Sequence, residues 1–476
     1  MTWYRCSVCH VFEFDTSRGN SITKIKPGTH PENFPDDWKC PICGASKEHM
    51  IPFEKEAEIV PDVQESELDS YLGEWKRVAD DVEVYMTDIH TISATGESNI
   101  EPMRTRQDVI SWNQILVKGA QLFKMPLNSE DDVSTQTIIG PNSKHPLVIE
   151  TPVIITHMSF GALSKEVKTA LAIGSAAVKT AICSGEGGIL EESFSQAYKY
   201  IFEYVPNQYS VTEENLKRVD AIEIKFGQSV KPGMGGHLPA EKVTEEIANI
   251  RGFPAGTDII SPSHYEDILN KDDLRKKVEW LREKSDGKPI GIKLAAGHLE
   301  EDLAIAIYGN PDFITIDGRP GATAAASKFV KESTSIPTIF ALYRAKKFFE
   351  KQNVQNISLI ITGGLRVSSD FAKALAIGAD VVAIGSAALM ACGCQQYKMC
   401  HTGKCPVGIT TQNPELRQRL NVTYSAKKLE NFLRVSTKEL KEFARLTGND
   451  SVHKMNINDL CTTNSEISKH TEIEHV

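Results

Sequence analysis

The chain has no excess of basic charge: 53 Lys and Arg stand against 63 Asp and Glu, a formal net charge of −10. That balance argues against general nucleic-acid binding. No run reaches about 18 uninterrupted apolar residues, so no membrane-spanning helix is expected. The first ten residues, MTWYRCSVCH, lack the apolar core of a signal peptide. No G-x-G-x-x-G follows a first strand, so NAD(P)H is not expected to bind this chain directly. Cysteine is not scarce, since there are ten. A disulfide framework would suit a small secreted chain, but here seven cysteines fall in metal-ligand spacings. Together these features predict a protein of the reducing cytoplasm.

Among what is present, the stretch Ile357–Gly408 organises the rest. It reads ISLIITGG, a short helical run, ADVVAIGS, then ACGCQQYKMCHTGKCPVG. Two β-rich runs each end in a small-residue turn, Gly363-Gly364 and Gly385-Ser386. Such turns let backbone N–H groups approach a phosphate, and a (β/α)8 barrel binds a cofactor phosphate after its seventh and eighth strands. Cys394, Cys400 and Cys405 follow at once, a spacing suited to iron.

The length of 476 residues and 41% hydrophobic content predict more than one domain and a large core. In the first 50 residues Cys6-x2-Cys9 and Cys40-x2-Cys43 form two knuckles, each able to offer two thiolates to a tetrahedral metal. Spacing alone allows a zinc ribbon. Tyr4, Phe12, Phe14, Phe34 and Trp38 make the module unusually aromatic for one. Residues 54 to about 100 are acidic and loosely patterned, which predicts a solvated linker or a helical collar. From about 150 short strands and helices alternate, as parallel βα units do. Eight strands are predicted: Val153–Thr156, Thr180–Cys183, Ala221–Ile224, Asp258–Ile260, Ile290–Leu294, Phe313–Ile316, Ser358–Ile361 and Val381–Ile384. The fold class is therefore α/β, a (β/α)8 TIM barrel with a small N-terminal metal domain and a cysteine-cluster loop after the last strand. A Rossmann sheet is the alternative. The predicted domains are 1–53, 54–148 as linker and collar, 149–391 as barrel, and 392–476 as cluster loop and C-terminal helices. In the tail, Leu429, Phe432, Leu433, Leu440 and Phe443 make an apolar stripe, and the last dozen residues are expected to fray.

Two resemblances sharpen this reading. The run IKPGTHPENFPDDWKCPICGASK resembles rubredoxin, which implies one iron on Cys6, Cys9, Cys40 and Cys43, with structural zinc as the alternative. EPMRTRQ, MSFGALSKE, SGEGG, KPGMGGHLPAEKV, ITGGL and CHTGKCPVGITTQNPELR resemble the synthase domain of glutamate synthase in its compact archaeal-type, ferredoxin-dependent-like form. The resemblance implies FMN in the barrel mouth and a three-iron cluster (3Fe-4S) on Cys394, Cys400 and Cys405. Cys392 nearby is a packed thiol or a fourth ligand for a 4Fe-4S cluster. It implies reduction of 2-iminoglutarate, formed from 2-oxoglutarate and ammonia, to glutamate. Ser159, Phe160, Gly161 and Ala162 would form the turn under the flavin, Lys293 would face its N1–C2 edge, and Gly363, Gly364, Gly385 and Ser386 would hold its phosphate. Lys231, Arg251 and Gln228 match substrate-anchoring positions, and Glu186 is a candidate proton handler. Implied partners are a protein electron donor such as ferredoxin or a reductase, and a separate glutaminase subunit, since no glutaminase domain is recognised here. A homo-oligomer is expected.

Several positions depart from the family pattern. The turn after the sixth predicted strand reads Gly318-Arg319-Pro320-Gly321-Ala322-Thr323-Ala324, with a bulky cation in place of glycine. Met234 and His237 stand in the KPG run, His237 as a substrate donor or a turn residue, and Cys183 opens the turn after the second strand. These changes leave two alternatives: the same chassis acting on another oxo-acid or amine, or an electron-transfer module with no substrate of its own.

Overall fold

A computed structural model describes residues 3–9, 12–20, 23–53, 80–105, 107 and 109–476. The acidic stretch 54–79, read from sequence as linker, lies outside the described residues. The chain divides into two compact units, Met1–Thr87 and Asp88–Val476.

The first unit is a three-stranded antiparallel sheet, with Trp3–Cys6 between Glu13–Asp15 and Met50–Pro52. Phe12, Phe14, Phe34, Trp38, Ile25 and Met50 are buried together. Phe34 lies between Phe14, edge-on at 5.0 Å, and Trp38 at 4.9 Å. Such pairs prefer edge-to-face or tilted stacking, and here they give a small module a dense core.

The second unit is a closed barrel of eight parallel strands. In chain order these are Val153–Ile155, Ala181–Cys183, Lys199–Tyr204, Ala221–Lys225, Ile290–Ala295, Phe313–Asp317, Ser358–Thr362 and Val381–Ile384. Seven are the strands predicted from sequence. The correction concerns the third and fourth places. Lys199–Tyr204 is the third strand, and Ala221–Lys225 is the fourth. Ile259–Ile260 is outside the barrel and pairs antiparallel with His237–Leu238. The physical reason is local. Lys199–Tyr204 carries Lys199 and Glu203 at inward positions and comes after only a four-residue helix, Glu191–Phe194, so it lacks the usual strand and helix signals.

Side chains alternate in and out along each strand. The lower inward layers are apolar: Ile154, Ala181, Ile201, Ala221, Phe313, Ile360 and Val381. The hairpin Thr137–Ile139 with Leu147–Ile149 adds Ile139, Leu147 and Ile149 to that cluster. Toward the C-terminal strand ends the inward positions become Glu203, Glu223, Lys225, Lys293, Thr315 and Asp317. The barrel interior is thus oil below and charge above.

The helix Val422–Leu446 packs along Lys165–Ala176, with Leu429 against Gly174. A Cβ on Gly174 would meet the Ala426 carbonyl at 2.8 Å, so glycine sets this close approach. The tail does not fray as expected. Ile473 is buried, and Glu474–His475 pairs with Leu460–Thr462, which also pairs with Ile115–Val117.

Candidate active site and metal centres

The four cysteines of the first unit converge. Cys6 and Cys43 sulfurs lie 3.6 Å apart, Cys9 and Cys40 3.9 Å, and all four come within 4.8 Å of one another. A tetrahedral metal with sulfurs at about 2.3 Å needs sulfur separations of roughly 3.8 Å. The donor set fits one iron or zinc.

The second cysteine group is built differently. Cys394, Cys400 and Cys405 line one cavity with Ser386 and Arg104. They are not among the groups close enough to share a single ion, whereas a multi-iron cluster spreads its ligands wider. Burial opposes a charge on Cys405, yet the Thr410, Ile409 and Val407 N–H groups hold its pKa below the ordinary thiol range. Burial, then the Cys394 sulfur, pushes Cys400 up. Gln396 donates to the Cys394 sulfur at 3.1 Å. Cys392 is buried in the main core, and burial lifts its thiol to about 12. It does not line the cavity, which favours three ligands over four.

At the mouth, Gly363 and Gly364 adopt φ of +109° and +89°, and Gly161 has φ +109°. A Cβ on Gly364 would meet the Pro320 ring, so these turns need glycine. Leu163 N–H donates to Ser159 O at 3.0 Å, closing the Ser159–Ala162 turn. Arg366, just after this glycine pair, escaped the sequence reading. Burial first, then the neighbouring Arg104 guanidinium, lowers its pKa to about 10, and its Nε has no partner. Two guanidiniums side by side call for an anion.

Across the mouth, Lys225 and Ser261 both bond the Glu186 carboxylate. Burial works against that charge, but Lys225 dominates the remainder, and the pKa falls to about 2. Glu186 is thus held ionised, which suits orientation better than proton donation. Lys231, buried, has its pKa lowered to about 8 by burial and then by Lys225. Its ammonium touches Gly235 O. Gln228 is half-buried on the same loop.

Two arginines singled out in the sequence bond backbone carbonyls here. Arg251 donates to Phe160 O at 2.8 Å and Glu186 O at 3.2 Å, and lies 5.2 Å over the Tyr209 ring. Through Nη2 it braces two turns, while its buried Nε has no partner. Arg319 donates to Thr334 O at 2.6 Å, to Gln107 at 2.7 Å and to Glu332 O. This buried cation ties a loop together. His237 is exposed on the hairpin, 3.3 Å from Asp258.

Below the mouth lies a charged floor with no local signature in the sequence. Lys293 sits between Glu203 at 3.9 Å and Asp317 at 3.8 Å. Burial disfavours its charge, but Asp317, Glu203 and Glu223 raise its pKa. His157 reaches Glu223 at 2.8 Å through Nε2 and faces Glu203 at 3.6 Å through Nδ1. These three are close enough for an ion. Yet Gly185 N–H donates to Nδ1 at 3.1 Å, so Nε2 carries the proton toward Glu223. Nδ1 is taken by the Gly185 N–H, and Nε2 makes an ion-pair contact with Glu223, so nothing bonds the ring to Glu203. Lys168, also buried, donates to Met158, Cys183 and Ser184 carbonyls.

Each of the two modules matches known proteins. Residues 84–450 match the model for the conserved region in glutamate synthase, and residues 3–50 match rubredoxin. A "glutamate synthase large subunit-like protein" of Rhizobium meliloti is 34% identical over 408 residues, 82% of this chain and 92% of that one. An "archaeal-type glutamate synthase (NADPH)" of Thermotoga neapolitana is 36% identical over 75% of this chain and 70% of its own. An "archaeal glutamate synthase (NADPH)" of Methanocaldococcus jannaschii is 39% identical over 67% of this chain and 62% of its own. The chain belongs to the glutamate synthase family and carries a rubredoxin domain at its N-terminal end.

Proposed function

We propose that this chain makes glutamate from 2-oxoglutarate and ammonia, using FMN in the barrel mouth. Ammonia adds to the 2-oxo carbon, water leaves, and the resulting imine takes up two electrons and two protons. Bound FMN would supply the electron pair, and iron held by the rubredoxin and Cys394–Cys405 sites would feed it electrons singly from a reduced protein donor such as ferredoxin. The fit rests on residues present. Arg366 and Arg104 offer positive charge beside the Gly363-Gly364 and Gly385-Ser386 turns. Lys293 places a buried cation under the mouth. The Cys394, Cys400 and Cys405 cavity shares Ser386 with the eighth-strand turn.

The observation that carries the substrate half is Lys231. It is buried next to a charged pair, and its pKa lies near 8. A lysine so placed can hold a carboxylate and move a proton near neutrality. Gln228 donates to a substrate oxygen, the Glu186–Lys225 pair orients the loop, and Arg251 supports both turns from behind. The case for a different substrate drew on the Arg319 turn, Met234, His237 and Cys183; of these, Arg319 is bound to the Thr334 and Glu332 carbonyls and to Gln107.

The test is anaerobic turnover with 15N-ammonia, 2-oxoglutarate and a reduced low-potential donor. Labelled glutamate is expected, with loss of at least tenfold in Lys231→Met. Absence of glutamate from flavin-loaded protein would refute the reading. Unchanged turnover in Lys231→Met would remove the lysine from it.

A further inference from the structure

The charged floor holds an imbalance. Three carboxylates point inward: Glu203, Glu223 and Asp317. Glu223 accepts from Thr315 at 2.5 Å and has His157 Nε2 at 2.8 Å as an ion-pair contact. Glu203 and Asp317 share one ammonium, that of Lys293. Each keeps a buried oxygen without a hydrogen-bond partner, Glu203 Oε1 and Asp317 Oδ1. The next cation on the fourth strand, Lys225, is committed to Glu186. A fresh negative charge placed in the mouth would draw on Lys293 as well. The least costly relief in so dry a place is protonation of one carboxylate.

Glu203 has further support, since the Lys168 charge lies near. Asp317 has less. The groups facing it are Lys293 on the fifth strand, Lys225 on the fourth, the Ser229 N–H, and Glu203 on the third, which repels it. Its strand-seven neighbour in register, Thr362, is uncharged.

We infer that Asp317 is a proton store: it takes up one proton when negative charge builds in the mouth above Lys293, and releases it when that charge leaves. This inference rests on the reading that the mouth holds a flavin. Burial already lifts the Asp317 carboxyl to about 6, against the pull of Lys293 and Lys225. It is therefore ionised at neutral pH and within easy reach of protonation. Asp317 acts through Lys293 and is a positioning residue for charge.

The experiment is spectroelectrochemical titration of the flavin in the whole protein across the pH range around 6. Wild type should take up one more proton per electron pair above about pH 6 than below it. Asp317→Asn, which keeps the shape and cannot ionise, should show no such break. Asp317→Ser should match it. A reduced-minus-oxidised infrared spectrum of wild type should gain a protonated-carboxyl band that both variants lack. A flavin whose proton count is the same in wild type and both variants overturns the inference alone. Protein that binds no flavin overturns the reading beneath it.

Discussion

Glu186→Gln keeps the side chain's shape and removes its charge. The surroundings of that charge set the cost. Glu186 sits largely buried, held by Lys225 and Ser261. Its pKa falls from 4.5 to about 2. At about 1.4 kcal/mol per unit that is about 3 kcal/mol of stability. Removing one member of a buried pair and stranding the other costs a similar ~3–5 kcal/mol. The sign comes from linkage. The folded-state pKa is depressed, so the contribution is full above the unfolded value near 4.5 and is lost as pH falls toward 2. Urea unfolding of the barrel unit, tracked by Trp112 and Trp280 fluorescence, reads the difference. The variant should be about 3 kcal/mol less stable at pH 7, with the gap narrowing below pH ~4.5. Glu186→Gln with Lys225→Met should recover much of the loss, because Lys225 is then no longer left buried without its partner. A single variant within ~0.5 kcal/mol of wild type at pH 7 would refute the reasoning.

Other contacts lead to four further expected outcomes. Gly236→Ala should cut turnover while flavin is retained, because the added Cβ meets the Glu186 carboxylate; flavin content and rate on one sample check it. Arg366→Met should weaken FMN retention about 10- to 100-fold, the value of a charge-assisted hydrogen bond, measured by flavin release on dilution. Cys392→Ala should leave acid-labile sulfide intact, while Cys400→Ser should lose it, because only Cys400 lines the cluster cavity. Cys9→Ser should lose the iron of the first unit and its visible absorption without touching flavin content, as read by metal analysis and spectra.

The barrel was legible because seven of its strands are short apolar runs ending in small-residue turns. The third strand was hidden by Glu203, whose carboxylate faces inward where an apolar residue is usual. Ile259–Ile260 looked like a barrel strand because pattern alone does not say which partner a short apolar run will take. The glycine turns and cysteine spacings were readable since backbone freedom and thiolate chemistry depend on local sequence. Where Arg319 points was not legible, because the direction of a side chain is set by its loop. His157, Glu203, Glu223 and Asp317 lie up to 160 residues apart. Only strand register brings them to one layer, so no local signal could have grouped them.

The central claim is that the barrel mouth and the neighbouring cysteine cavity hold a flavin and an iron–sulfur cluster side by side. Assay of FMN, iron and acid-labile sulfide on a single anaerobically purified sample tests it most directly. The account predicts one FMN per chain, together with acid-labile sulfide and more iron than the rubredoxin site alone can carry. Protein without FMN or acid-labile sulfide would contradict it.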